Sequence, residues 1–287
     1  MSIIIQKALK TDDHGGKLST MIERYDTVNE MVMDLKKRSI TDGRFEDQST
    51  KDINAHWSGV KSYSECIDYL HNGYQPTVDI LKTALKPTAR GESKRIGFKN
   101  DIVGGMPIVP LAMMGIPNSM VNTYIRPINA KVNNISNDMT CSCVTESADI
   151  IDAGQKVLAA IMDIERRGYR CDLYAMQSYT DYQSADILAI KIKSSDKPLD
   201  IKRMSYALTH TSFFRIIGFD WYSKTPKAKY RLGYGRGLSY LYDHDIARTE
   251  KVTKQIFGDN SIYLSAAAMI KHKGGKDGYI NLVMDPK

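Results

Sequence analysis

The chain lacks any uninterrupted apolar run near the roughly 18 residues that a membrane-spanning helix needs. Its start, Met1 to Lys10, holds only Ile3, Ile4 and Ile5 where a secretory signal carries a long apolar stretch. Both absences predict a cytoplasmic protein with no membrane partner. Cysteine is scarce too: four in 287 residues cannot build a disulfide framework, and Cys141 with Cys143 lacks the second ligand pair of a zinc site. All four are read as thiols. With 42% hydrophobic and 25% charged residues, 20 Gly and 9 Pro, the composition excludes collagen, low-complexity disorder and coiled coil. Strong catalytic motifs are missing as well. His210 stands among Thr209, Thr211 and Ser212, but no serine sits on a strand-to-helix elbow and no carboxylate is placed to orient the ring. His244 lies between Asp243 and Asp245, yet adjacent residues of a helix or strand point apart. No catalytic residue is assigned, and the balance leans against an enzyme.

What is present begins with charge. Forty basic against 33 acidic residues give a net charge of +7 and a pI near 9.0, which steers anionic partners without identifying one. From Trp221 to Tyr242 there is no Asp or Glu, while Lys224, Lys227, Lys229, Arg231 and Arg236 alternate with Tyr230, Tyr234 and other aromatic residues. Such a ribbon can neutralise phosphates and stack on unpaired bases, which is the mode of single-stranded or non-specific nucleic-acid binding. Gly233, Gly235 and Gly237 would let a strand approach closely, but the run lacks the strand, helix and acidic residue of a dinucleotide fingerprint. An ordinary exposed loop has the same composition.

The first 55 residues read as a polar arm with one helix, Thr27 to Arg38, whose stripe is Val28, Met31, Val32 and Leu35. Ser62 and Glu65 form a capping box that opens a helix to His71, and Pro76 opens a second that ends before Pro87. As a DNA-reading pair these two would offer only Lys82 and Lys86 on the second helix, so plain packing is expected. Lys86 to Ser119 is broken by so many Pro and Gly residues that a domain junction is expected there, ordered and with Leu111 to Met114 buried. The division predicted is 1–118, helical with an irregular crossing, and 119–287, α/β. In the second part a strand around Ile128 to Asn134 precedes a helix from Ile150 to Arg167. Strands at Arg170 to Ser178 and Asp186 to Lys193 follow, then a long helix from Pro198 to Gly218. A helix at Thr249 to Phe257 and a strand at Ser261 to Leu264 complete a three-layer α/β domain with a mostly parallel sheet.

After the first of these strands stands Asp138-Met139-Thr140-Cys141-Ser142, one carboxylate and two hydroxyls at the end of a strand where α/β sheets bind ligands. These are hard oxygen ligands of the kind Mg²⁺ or Mn²⁺ prefers, although an Asx turn capping the next helix would use the same residues. From Ile128 to Leu264 the chain resembles a von Willebrand factor A-like domain of the cobaltochelatase-associated type, on the Asp138-x-Thr140-x-Ser142 spacing and the passage Glu165-Arg166-Arg167-Gly168-Tyr169. That resemblance implies a divalent cation held by Asp138, Thr140 and Ser142, with Asp220 and Thr180 or Thr209 as further ligands, and an open position for an acidic group of a partner. The whole chain also looks like an uncharacterised tailed-bacteriophage family, on Trp57-Ser58-Gly59, Gly105-Met106-Pro107-Ile108-Val109-Pro110 and Gly115-Ile116-Pro117-Asn118-Ser119-Met120. This implies a viral protein acting in the host cytoplasm. The leading expectation is a non-enzymatic phage protein that engages a protein partner through the Asp138 loop. The alternative is a nucleic-acid-binding protein of viral DNA or RNA metabolism.

Overall fold

The computed structural model describes residues 3–10, 17–40, 49, 52–84, 96–125, 132–141, 145–166, 169–180, 184–225 and 243–271. The N-terminal stretch expected as a polar arm is strand: β1 (Ile3–Lys10) pairs antiparallel with β2 (Lys17–Tyr25). Its polar look misled because Thr20 and Glu23 are buried beside Met21, Ile22 and Tyr25. The Glu23 carboxylate accepts from both Arg38 guanidinium nitrogens and from the Trp221 indole N–H at 2.6 Å. A buried charge is tolerable only with such partners.

Four helices follow: α1 (Val28–Lys37), α2 (Ala55–Ser58), α3 (Tyr63–Asn72) and α4 (Gln75–Ala84). The caps lie where the side-chain chemistry puts them. Thr27 accepts from the Glu30 amide, and Ser62 accepts from the Glu65 amide, each at 3.2 Å. The predicted stripe Val28, Met31, Val32 and Leu35 is the buried face of α1.

Next comes a second, smaller sheet, ordered β3-β5-β4, made of β3 (Ile96–Asp101), β4 (Met106–Pro107) and β5 (Met120–Ile125), with α5 (Val109–Met113) between the last two. All its pairings are antiparallel. Ordered structure was expected here; burial of Leu111 to Met114 was not found, since Met113 and Met114 are exposed.

The main sheet is completed by β6 (Val132–Asp138), β7 (Arg170–Thr180), β8 (Ser184–Lys193) and β9 (Ile262–Ser265) in the order β1-β2-β8-β7-β6-β9. The pairs β2·β8, β6·β7 and β6·β9 are parallel, and β1·β2 and β7·β8 antiparallel. The fold is therefore mixed α/β with a mostly parallel sheet, and that sheet draws strands from both sides of the expected 118/119 division. Strand β6 is described from Val132 to Asp138 and is buried from Ile135; Ile128, where the expected strand began, lies outside the described residues.

The helices of this half are α6 (Ser147–Arg166), α7 (Ile201–Thr209), a π-helical segment (Phe213–Gly218), α8 (Phe219–Ser223), α9 (Asp243–Phe257) and α10 (Ala266–Lys271). The single long helix expected from Pro198 to Gly218 is broken at His210, because the His210 ring takes the Ser212 amide at 3.2 Å in place of a helical carbonyl. Alternation along β7 feeds two cores. Cys171 and Leu173 join α4, α6, α7 and α10, while Tyr174 and Met176 join α1, α3, the π-helical segment and α9. No helix among the described residues is long and apolar enough to cross a membrane.

Helices α6 and α7 cross closely at Gly154, where a Cβ would stand 2.4 Å from the Leu208 carbonyl oxygen. Gly154→Ala should therefore cost about 1–3 kcal/mol of stability through overpacking. Urea unfolding checks this; an unchanged midpoint would show that the crossing can give.

Candidate functional site

Two places stand out chemically: a polar junction at the carboxyl ends of β6, β7 and β9, and the small sheet. At the junction Asp138, the last residue of β6, is wholly buried. Its Oδ2 accepts from the Ser178 hydroxyl at 2.5 Å and the Tyr263 hydroxyl at 2.8 Å, and its Oδ1 from the Thr140 amide at 3.0 Å. The Thr140 hydroxyl is engaged with Ser178, taking its amide at 2.8 Å and donating to its carbonyl at 3.3 Å. Burial pushes the Asp138 carboxyl above its ordinary range, against the opposing pull of these donors. Nearby Ser136 Oγ and Asn137 Oδ1 are buried without a hydrogen-bond partner among the described residues.

Asp138 and Thr140 are thus brought together, and Ser178 is a third member that the sequence pattern did not flag. Ser142 lies outside the described residues. Asp220 is engaged with other groups: Tyr63 donates to its Oδ2 at 2.7 Å, and Lys224 Nζ lies 2.8 Å from its Oδ1. Two residues expected in separate sites, one for metal and one for nucleic acid, are therefore partners inside the fold. The Thr209 hydroxyl donates to the Ser205 carbonyl at 2.6 Å and meets the Thr77 hydroxyl at 2.9 Å. Thr180 ends β7. Among the described residues no group of three or more His, Cys, Asp or Glu could hold a metal ion.

The basic ribbon is described only at its start. Trp221, Tyr222 and Lys224 are buried, with Tyr222 stacked on Tyr179 at 4.3 Å between ring centroids. Lys227, Lys229, Tyr230, Arg231, Tyr234 and Arg236 lie outside the described residues.

His210 is buried in a tyrosine box, with Tyr74 edge-on at 4.5 Å and Tyr206 and Tyr69 tilted against it at 5.4 and 5.8 Å. Its Nδ1 accepts from the Ser212 amide and meets the Ser212 hydroxyl at 2.8 Å, which places the ring proton on Nε2. Ser212 in turn meets the Tyr206 hydroxyl at 2.8 Å. Burial, helped by the Arg215 charge and opposed by Glu65, holds the imidazole down at about 4.

The small sheet has the opposite character. From Ile102 to Ile125 the chain carries no charged residue. Yet every residue from Phe98 to Thr123 is exposed or half-buried. Phe98, Ile102, Val103, Met106, Met113 and Met114 are each between 62% and 83% exposed. Register explains one face of it: Asn100 and Met106 both stand opposite Val121, and Phe98 stands opposite Thr123, so these side chains share a side of the pleat. Gly104 lets the turn cross the end of β5, since a Cβ there would stand 2.3 Å from the Val121 carbonyl oxygen. The run without charge was the signal for this surface; reading Met113 and Met114 as core filling hid it.

A family described as "Domain of unknown function (DUF7192)" matches residues 7–276. The chain belongs to that family. Neither a curated protein nor a solved structure matches it. Both the polar junction and the small sheet fall within the span matched by DUF7192.

The junction and the tyrosine box make two predictions about stability. Asp138→Ala strips three donors of their acceptor and should cost about 3 kcal/mol, whereas Asp138→Asn keeps an acceptor oxygen and should cost less. A carboxyl raised by folding favours the folded state below its ordinary range and loses that contribution as pH rises, so the deficit of Asp138→Asn should shrink toward neutral pH. Equal losses for the two variants in urea would contradict this. For His210, the unfolded chain takes up a proton between roughly pH 6.5 and 4 that the folded chain refuses, so acid should remove about 3 kcal/mol through this group. Unfolding measured across that window should show the fall, and His210→Gln should flatten it.

Proposed function

We propose that this chain is a non-enzymatic protein-binding protein that docks through the exposed apolar surface of the small sheet. The observation that carries this reading is the burial pattern from Phe98 to Thr123: ordered strands and a helical turn, apolar in composition, with no buried residue. The six large apolar side chains named above, each more than three-fifths exposed within one short segment, are what an interaction surface offers and a monomer usually buries. Methionine suits such a surface because its flexible thioether adapts to what it meets. Nucleic acid does not fit here, since phosphate recognition needs clustered positive charge and none stands from Ile102 to Ile125. The larger sheet acts in this reading as the scaffold, a von Willebrand A-like domain. Support comes from Asp138 at the end of a strand flanked on both sides by parallel partners. On the tailed-phage reading the partner would belong to the particle or the infected cell.

A divalent cation at the carboxyl end of β6 is the second reading. It is favoured by Ser136 Oγ, buried without a hydrogen-bond partner among the described residues and, two residues along the strand, on the same face of β6 as Asp138. Asp138 and Thr140 would supply oxygens to Mg²⁺ or Mn²⁺ by exchanging hydrogen bonds they now hold.

A photo-crosslinking amino acid at position 113, in cells producing the full chain, separates the two. Protein adducts at 113, absent when the same group replaces exposed Tyr169, are expected. No adduct at 113 from folded protein would sink the docking surface, and adducts lost with EDTA and in Asp138→Ala would transfer the role to the Asp138 loop.

A further inference from the structure

We propose that the partner of the small sheet is a second copy of this chain, joined edge to edge through β3. This rests on the docking reading above and specifies its occupant. In the order β3-β5-β4, β3 is an edge, and among the described residues nothing pairs with its outer side. An edge strand presents unpaired backbone donors and acceptors, which proteins cover, blunt or use for pairing.

The residues of this edge are self-complementary. Phe98-Lys99-Asn100-Asp101-Ile102 reads apolar, positive, neutral, negative, apolar, so reversing it inverts the charges and leaves the rest in place. Two antiparallel copies centred on Asn100 set Lys99 opposite Asp101 of the second copy, and Asp101 opposite its Lys99. Asn100 faces itself, and Phe98 comes beside Ile102, the first residue past the strand. Directly opposite residues share a face of the sheet, so both ion pairs lie on one side and the apolar contacts on the other. Within one copy the Lys99 ammonium already lies 2.6 Å from the Asp101 carboxylate, which places the two charges on the same face. Both side chains are half-exposed, so the pairing needs no rearrangement of a core.

Charge favours the same occupant. Each copy carries +7, and two copies repel everywhere except where the surface is neutral or self-paired. The interface is isologous, each copy giving the same patch, so it closes as a dimer and does not run on as a fibre. The two small sheets become one continuous sheet of six strands, and Phe98 gains the neighbours that its own sheet does not supply.

Sedimentation equilibrium of the full chain tests this with three variants. The wild type should be a dimer. Lys99→Asp sets aspartates opposite each other at both symmetry-related positions, and Asp101→Lys does the same with lysines. Each should weaken the dimer by on the order of tenfold or more. The combined Lys99→Asp/Asp101→Lys chain restores both pairs and should dimerise as the wild type does. A role confined to one copy would move the unfolding midpoint and leave association alone. A wild type that stays monomeric overturns the proposal, as does a dimer indifferent to the single reversals or a double variant that is not rescued. If position 113 still crosslinks to another protein while the chain sediments as a monomer, docking stands and self-pairing is lost. A monomer that co-floats with phosphatidylcholine vesicles would replace the second copy with a lipid surface.

Discussion

An ordered, mostly apolar segment without an interior of its own must find its burial in something outside it, and residues 98–123, uncharged from Ile102 onward, meet both conditions. Strand pairing with β5 satisfies part of the backbone, and Gly104 lets the connecting turn close over the strand end. The side chains are left facing outward. Burying one aliphatic or aromatic side chain is worth roughly 1.5–3 kcal/mol, so leaving six in water forgoes a large stabilisation that a partner would recover. The buried apolar residues of the larger sheet are, by contrast, gathered in two cores.

The larger sheet shows the complementary rule, that polar groups are admitted to an interior only with partners. Glu23 ties β2 to Arg38 and to Trp221 across the length of the chain. Asp138 ties β6 to Ser178 of β7 and Tyr263 of β9, and the Asp220–Lys224 pair is capped by Tyr63 of α3. The Glu23–Trp221, Asp220–Tyr63 and Asp138 contacts join elements distant in sequence, and Asp138 links three neighbouring strands, while the aliphatic residues fill what lies between. His210 belongs to the same pattern. Its tyrosine neighbours and Ser212 keep it neutral where an ion would be costly.

Elements with a clean period were legible. The stripe of α1, the caps at Thr27 and Ser62, and the helix and strands from α6 through β8 follow from spacing and local hydrogen bonding. β1 and β2 were not; β2 is buried on both faces from Thr20 to Glu23 and so need not alternate, and Glu23 reads as surface until its distant partners are known. The break at His210 was hidden for a similar reason, since a side chain that replaces a helical carbonyl leaves no mark on hydrophobic periodicity. Within the Asp138 loop, Asp138 and Thr140 were found from spacing, whereas Ser178 enters only through the pairing of β6 with β7. For the small sheet, apolar composition was visible and was taken for burial. Composition tells which residues seek cover but not whether the same chain provides it.

The most direct measurement is hydrogen exchange of the β3 amides, Ile96 to Asp101, followed over a range of protein concentrations. Pairing with a second copy predicts protection that rises with concentration there and stays constant in β7, at the centre of the larger sheet. Exchange in β3 that is fast and independent of concentration would contradict it.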